Sequence, residues 1–472
     1  MAIRFHDTYT RRLEEFRPLD PAGREVKMYT CGPTLHDFAH IGNMRTFVFE
    51  DLLQRHLEAR GFHVHRVMNL TDVDDKTILK SRRAGLALEA FTAVYRDAFF
   101  ADLNALRIKR ADAFPAATAP EYIARMIAMI GTLMERGHAY QADDHSVYFR
   151  IHTFPAYGKL AHLNLDELRP SGRVSADEYE KENVADFALW KAWDKDDGDV
   201  GWDSPWGRGR PGWHIECSAM STALLGDQLD IHCGGVDNIF PHHEAEIAQT
   251  ESCTGQKFVR YWIHGAHLMV DGQKMSKSVG NFYTLRDLLD KGYTGREVRF
   301  ALLRVNYGLP LNFTLPGLND ARASLQRIDE WIARLTEHAA PADKPQPHPA
   351  SGGDRFESEL DEDLNISAAL GVLFEAIRET NRELDGGQLS PGQARSVLDW
   401  WNRINGILAL EPDAEPLPAE IQSLLDARAE ARATKQWQRS DELRDQVAEL
   451  GWEVKDTKDG QKTSRRAKLA NV

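Results

Sequence analysis

Two short stretches carry residue types suited to a nucleoside triphosphate. His40-Ile41-Gly42-Asn43 comes soon after a Gly32-Pro33 turn and stands where a helix begins. The free amides and dipole of a helix start attract phosphate. An imidazole there can donate to an α-phosphate as charge builds during attack. Gly42 lets an adenine ring or phosphate approach the backbone, and the amide of Asn43 can donate a hydrogen bond. Far downstream, Lys274-Met275-Ser276-Lys277-Ser278 lies between Gly272 and Gly280. Lys274 and Lys277, three apart on a loop, suit β- and γ-phosphates whose charge shifts to departing pyrophosphate. His232-Cys233-Gly234-Gly235-Val236-Asp237 adds glycines for close approach and a carboxylate, Asp237, suited to ribose hydroxyls. A surface histidine or a solvated lysine loop explains either stretch alone. Both together, in this order, point to one nucleotide site.

A second constellation suits a metal. Cys31 follows the first expected strand, and Cys217 lies in Trp213-His214-Ile215-Glu216-Cys217. Pro241-His242-His243-Glu244-Ala245-Glu246 opens a helix on which His242 and Glu246, four apart, share a face. Two thiolates, an imidazole and a carboxylate form an acceptable tetrahedral Zn2+ set. The spacing is not that of a zinc finger, so His232, Cys233, His243 and Glu244 compete as ligands. Nor does it match the His-Glu-x-x-His of metalloproteases.

The elements that must position these residues read as α/β. Arg24 to Tyr29 is a buried strand stopped by Cys31-Gly32-Pro33-Thr34. Apolar residues at helical spacing then run from about Gly42 to Arg60, and His63 to Leu70 alternates like a strand. Strand, helix, strand in this order implies a parallel sheet with ligands at the strand C-terminal ends. The expected organisation is a first Rossmann half over 1–120, an inserted segment over 121–209, and a second Rossmann half over 210–248. A connecting module carrying the lysine word follows over 249–338, then a Pro/Ala/Gly-rich linker over 339–354, a helical bundle over 355–412 and a small C-terminal module over 413–472.

With 58 basic and 72 acidic residues the net charge is −14, so no basic domain announces nucleic acid globally, although RNA needs only a local basic track. Such a track is present at the end, where Lys455, Lys458, Lys462, Arg465, Arg466 and Lys468 outnumber Asp456 and Asp459. No signal-peptide core and no apolar run of membrane-spanning length occurs. Cys31, Cys217, Cys233 and Cys253 are too few and too scattered for a disulfide framework, and a reduced, cytoplasmic setting is expected.

The two words resemble the halves of a class I aminoacyl-tRNA synthetase active site. Over essentially its whole length the chain resembles the cysteinyl-tRNA synthetase family. The residues that carry the resemblance are Met28 to Thr34, the HIGN word, Asn69 to Lys76, Pro211 to Met220, Phe240 to Glu246 and the KMSKS word. The resemblance implies a zinc ion that binds the substrate thiol directly, held by Cys31, Cys217, His242 and Glu246. It places Thr71 and Trp213 in the cysteine pocket, Asp237 near the adenylate, and His40, Asn43, Lys274 and Lys277 in the catalytic machinery, with Gly42, Gly235 and Lys277 also at ATP. It further implies Mg2+ accompanying ATP, tRNA(Cys) and L-cysteine as partners, and a C-terminal anticodon-binding module on a monomer that needs no membrane. Asn43 departs from the family's HIGH word, where a second histidine stands.

Zinc makes chemical sense in that role. Serine differs from cysteine by one atom, and shape alone discriminates by only about 1–3 kcal/mol. A soft thiolate is preferred by zinc over an alcohol. The interval between Asn43 and Lys274 leaves no comfortable room for an editing domain. Two rivals share parts of this picture. A mycothiol cysteine ligase joins activated cysteine to an amino sugar but lacks a full tRNA-recognition tail, and an inactive paralogue would bind nucleotide or RNA without chemistry. Methionine and isoleucine synthetases share the two words, but their zinc knuckle or long insert is missing here. Adenylate formation is expected to survive removal of the chain after about residue 338.

Overall fold

The computed structural model describes residues 2–163, 186–276, 280–339, 344–351, 353–412, 418–457 and 460–465. Its centre is a parallel sheet of four strands, Glu25–Thr30, His63–Met68, Leu229–Gly235 and Val259–Gly265. In space the order is Val259–Gly265, Leu229–Gly235, Glu25–Thr30, His63–Met68, with every neighbouring pair parallel. Helices cover both faces, so the strands are near-continuous apolar runs, as Val26, Met28 and Tyr29 are in the first. The chain leaves Glu25–Thr30 toward one neighbour and later lays Leu229–Gly235 on its other side. That reversal opens a crevice at the C-terminal ends of these two strands, where ligands of doubly wound sheets bind.

The Ile41–Ala59 helix makes the first crossover, burying Phe47, Val48, Leu52, Leu53 and Leu57. Glu244–Thr254 makes another, between Leu229–Gly235 and Val259–Gly265. Between the two halves of the sheet, Ala139–Gln141, Val147–Phe149, Phe187–Ala192 and Gly209–Pro211 form an antiparallel sheet in chain order. It packs with the Pro120–Glu135 helix around Met126, Ile130, Phe149 and Trp190. Its last strand runs directly into the helix Trp213–Leu225, which carries Cys217.

The helical half is fused to the sheet-bearing half. One apolar cluster runs from Phe5 and the sheet to Leu410. Leu315–Ala339 packs on Pro391–Leu408, with Trp331 edge-on to Trp401 at 6.0 Å and its Nε1 donating to Thr380 Oγ1 at 2.8 Å. Arg299, fully buried, pairs with Asp51 at 2.6 Å and donates to the carbonyls of Leu408 and Leu106. His56 meets Asp361 at 3.0 Å, with both side chains buried. Within the Pro/Ala/Gly-rich stretch read as a linker, residues 344–351 pack onto this bundle. Gln346 N donates to Gly392 O at 2.8 Å, and buried His348 contacts Glu383 at 2.7 Å.

Beyond it, the helices Ala419–Ala433 and Trp437–Glu449 and the hairpin Trp452–Thr457 and Gly460–Arg465 share a small core of Ile421, Leu425, Val447 and Val454. Arg428 crosses that module to Asp456 at 2.8 Å. Of the basic terminal residues, Lys458, Arg466 and Lys468 lie outside the described residues. Among the described residues no helix is long and apolar enough to cross a membrane.

Candidate active site

His40 is the N-cap of the first crossover helix, with a reciprocal capping box. Its Nδ1 accepts from Asn43 N–H at 3.2 Å, and its own N–H donates to Asn43 Oδ1 at 3.1 Å. An accepting Nδ1 carries no proton, so the neutral ring keeps its proton on Nε2. Asn43 therefore uses its carbonyl to close the cap, a structural part that sequence reasoning did not give it. Gly42 is needed for the same closure, because a Cβ there would lie 2.9 Å from the His40 ring and 3.4 Å from Met275 Cε. The segment after the lysine word returns to this helix start: Ile41 N–H donates to Tyr283 O at 3.0 Å, and His40 sits edge-on to Phe282. The two words thus meet at one helix N-terminus. Lys274 is exposed at the end of the Gln273–Lys274 strand, whereas Lys277 and Ser278 lie outside the described residues.

Gly235 ends its strand beside the same helix, with Thr46 Oγ1 3.7 Å from where a Cβ would stand. Asp237 follows, exposed, with His267 Nδ1 3.5 Å from its carboxylate. The preceding Gly234 answers to packing, since a Cβ there would lie 2.8 Å from His243 Cε1.

Across the switch-point crevice the ligand-type residues converge. Cys31, Cys217, His242 and Glu246 are all buried and offer one donor atom each, every pair within 4.8 Å. Cys31, His232, His243 and Glu246 satisfy the same criterion, so two overlapping sets share Cys31 and Glu246. Glu246 Oε1 lies 3.1 Å from His242 Nε2, while its Oε2 is held by His232 Nε2 at 2.9 Å. Cys31 Sγ lies 3.2 Å from His243 Nε2. Behind His242 and His243 stand further imidazoles: His214 Nδ1 is 3.0 Å from His242 Nδ1, and His264 Nε2 is 2.7 Å from His243 Nδ1.

Two competitors drop away. The carboxylate of Glu244 accepts the backbone N–H groups of Gly158 and Ala161 at 2.7 and 2.9 Å. Cys233 neighbours His232 on a strand, so the two side chains face opposite sides, and the Cys233 thiol sits near Glu50 and Arg66 instead.

Electrostatics in the cluster suit a cation. Burial pushes the Cys31 thiol well above its ordinary value and raises Cys217 as well. Burial also raises Glu246, and it drives His242 and His243 far down, helped by the neighbouring imidazoles. His214 and His264 fall to about 3 for the same first reason. Neutral imidazoles are the form that binds a metal, and a coordinated thiol loses its proton outright. The donor set therefore fits Zn2+.

The wall next to the cluster is built by Asn69, Thr71, Glu216 and Trp213. Thr71 Oγ1 donates to Glu216 Oε2 at 2.8 Å and lies 3.2 Å from Asn69 Nδ2. Asn69 Oδ1 in turn receives Gly32 N–H at 2.8 Å, tying the wall to the turn after Cys31. Trp213, partly exposed, stacks on His242 with ring centroids 4.3 Å apart. Sequence reasoning assigned no part to His214, Glu216, Asn69 or His264. A usable signal existed for His264, a lone imidazole in the mostly apolar, mostly buried strand Val259–Gly265.

Comparison with known proteins gives three family matches. The class I (C) tRNA synthetase catalytic domain matches residues 17–323, a DALR domain 355–410, and the cysteinyl-tRNA ligase anticodon binding domain 414–462. A cysteine–tRNA ligase of Chlamydia trachomatis serovar A is 49% identical over 482 residues, covering 98% of this chain and 100% of its own. One from Protochlamydia amoebophila is 46% identical over 472 residues, covering 98% of each. Among solved structures, Mycobacterium tuberculosis methionyl-tRNA synthetase in complex with methionyl-adenylate shares the fold, with a TM-score of 0.61 at 17% identity, over 81% of this chain and 89% of that one.

Proposed function

The chain belongs to the cysteine–tRNA ligase family of class I aminoacyl-tRNA synthetases, and on that premise we propose how its residues divide the work. It activates L-cysteine with ATP, forming cysteinyl-adenylate and pyrophosphate, and then transfers cysteine to the terminal adenosine of tRNA(Cys) with release of AMP. Whole-length relatives and the anticodon-binding match do not favour an amino-sugar ligase or an inactive paralogue.

The observation that carries the residue assignment is the convergence of Cys31, Cys217, His242 and Glu246 beside the helix that His40 caps. Cys31, Cys217, His242 and Glu246 would hold Zn2+, which would supply a soft Lewis acid that favours a thiol sulfur over a serine hydroxyl. His214 and His232 hold His242 and Glu246 in orientation from behind. Thr71 and Trp213 line the cysteine pocket, Thr71 fixed by Glu216 and Asn69. ATP, accompanied by Mg2+, lies along the crevice, its adenosine over Gly42 and Gly235 and its ribose at Asp237. His40 donates from Nε2 to the α-phosphate as the cysteine carboxylate attacks. Lys274 and Lys277 take up the charge that passes to pyrophosphate. Asn43 keeps His40 in the donating tautomer. The C-terminal modules read the anticodon. A monomer suffices, and the buried free thiols suit a reducing, cytoplasmic setting.

ATP–pyrophosphate exchange with a panel of amino acids, beside metal analysis, tests the reading. Cysteine-dependent exchange is expected to exceed the serine-dependent rate by orders of magnitude, in a chain holding one zinc. Comparable exchange with serine or methionine overturns it.

A further inference from the structure

At the other end of the sheet, remote from the crevice, three ligand-type side chains meet on the surface. His63 and His65 are two apart on the strand His63–Met68, so they project from the same face. Glu25, the first residue of the adjacent strand, is in register with His63. Its Oε2 lies 2.9 Å from His63 Nδ1 and 2.7 Å from His65 Nε2, and the three donor atoms are all within 4.8 Å of one another. The imidazole centroids are 4.4 Å apart. We propose that Glu25, His63 and His65 form a second metal site, a solvent-open one, for a borderline divalent cation such as Zn2+.

Backbone geometry supports it. Two ligands from one strand and a third from its register partner are fixed by the ladder, so little chain entropy is lost on binding. A tetrahedral zinc with bonds of about 2.0–2.1 Å holds its donors roughly 3.3 Å apart. The observed 2.9 and 2.7 Å need to open by about half an ångström. The side chains are 70%, 44% and 49% exposed for His63, His65 and Glu25, and can move that far. Lys27, the cation on the same strand face, turns toward Gly226 and Asp230 and leaves the three donors facing one another. Water fills the remaining coordination position. Imidazole nitrogens select zinc-like ions over Mg2+ and Ca2+, which want oxygen.

Titration calorimetry of the full chain with ZnCl2, after dialysis that leaves only tightly held metal, tests the site. The unaltered protein is expected to show one micromolar binding step. That step is absent in His63→Asn/His65→Asn and weakened more than about tenfold in Glu25→Gln, since a lost ligand costs more than a lost outer-shell partner. The double variant keeps full cysteine-dependent exchange without added zinc, because neither histidine touches the crevice. An unchanged step in the double variant overturns the proposal, as does no step in the unaltered protein up to about 100 μM Zn2+. Either failure leaves the active-site reading intact, because that rests on different residues and on metal retained through dialysis.

Discussion

The two overlapping ligand sets can be separated through the histidines behind them. His214 touches only the set with two thiols, through His242 Nδ1 at 3.0 Å, and His264 touches only the set with His243, through its Nδ1 at 2.7 Å. A ligating imidazole needs its far nitrogen bonded, which fixes the tautomer and raises basicity. Loss of such a partner typically weakens a metal 10–100-fold, about 1.4–2.7 kcal/mol. His214→Ala removes the only described hydrogen bond to His242 Nδ1 while the Trp213 stack at 4.3 Å keeps the ring in place. The expected loss is therefore at the lower end, about 10–30-fold. Chelator competition at fixed pH measures it, with far-UV circular dichroism as the check on folding. His264→Ala is expected to shift zinc affinity by no more than about threefold, because its partner His243 is outside the set. The opposite ranking, with His264→Ala the more damaging, refutes the assignment and moves the metal to Cys31, His232, His243 and Glu246.

Other outcomes follow from the same contacts. Cutting after residue 338 strips Trp401 and Thr380 from Trp331 and Asp361 from His56, so this truncation is expected to aggregate and lose exchange, contrary to the expectation from sequence. A cut after residue 412 keeps the shared core and is expected to retain exchange but lose tRNA charging; full exchange by the shorter form contradicts this. Arg299→Ala leaves buried Asp51 short of its main partner and costs about 3 kcal/mol, a drop of about 3–4 °C in Tm by scanning calorimetry for a cooperative unit of roughly 400 residues, whereas a drop under about 1 °C would show the pair to be dispensable. Lys277→Ala is expected to lower kcat for activation on the order of 100-fold with cysteine affinity unchanged; an effect on affinity alone would place this lysine away from the departing pyrophosphate.

Much of the fold was legible because the governing signals are local. The Val26-to-Tyr29 run, the Gly-Pro stop and the amphipathic run after His40 define a parallel unit, and the helix Ile41–Ala59 differs from the expected bounds by one residue at each end. The class was legible because a weak word and a rare one occur in order, and the family because four further stretches, Met28 to Thr34, Asn69 to Lys76, Pro211 to Met220 and Phe240 to Glu246, accompany them. What escaped depends on which way side chains face after folding. Strand parity alone separates His232 from Cys233, yet it needs the register of a strand whose neighbours are some 200 residues away in sequence, as with Met28 and Ile231. The capping role of Asn43 is local but hidden behind the word's catalytic look. Residues 344–351 read as a spacer from composition, because the contacts that pin them, from Gln346 to Gly392 and from His348 to Glu383, come from helices further along the chain.

The claim at the centre is that a thiol-ligated metal reads the substrate's sulfur. Cys217→Ala tests it most directly, by zinc content per chain together with cysteine affinity and the cysteine-to-serine exchange ratio. Zinc below one equivalent, cysteine affinity down by about tenfold or more, and a collapsing exchange ratio are expected together. One tightly held zinc per chain with unchanged cysteine affinity would contradict the claim and leave Cys217 an ordinary buried thiol.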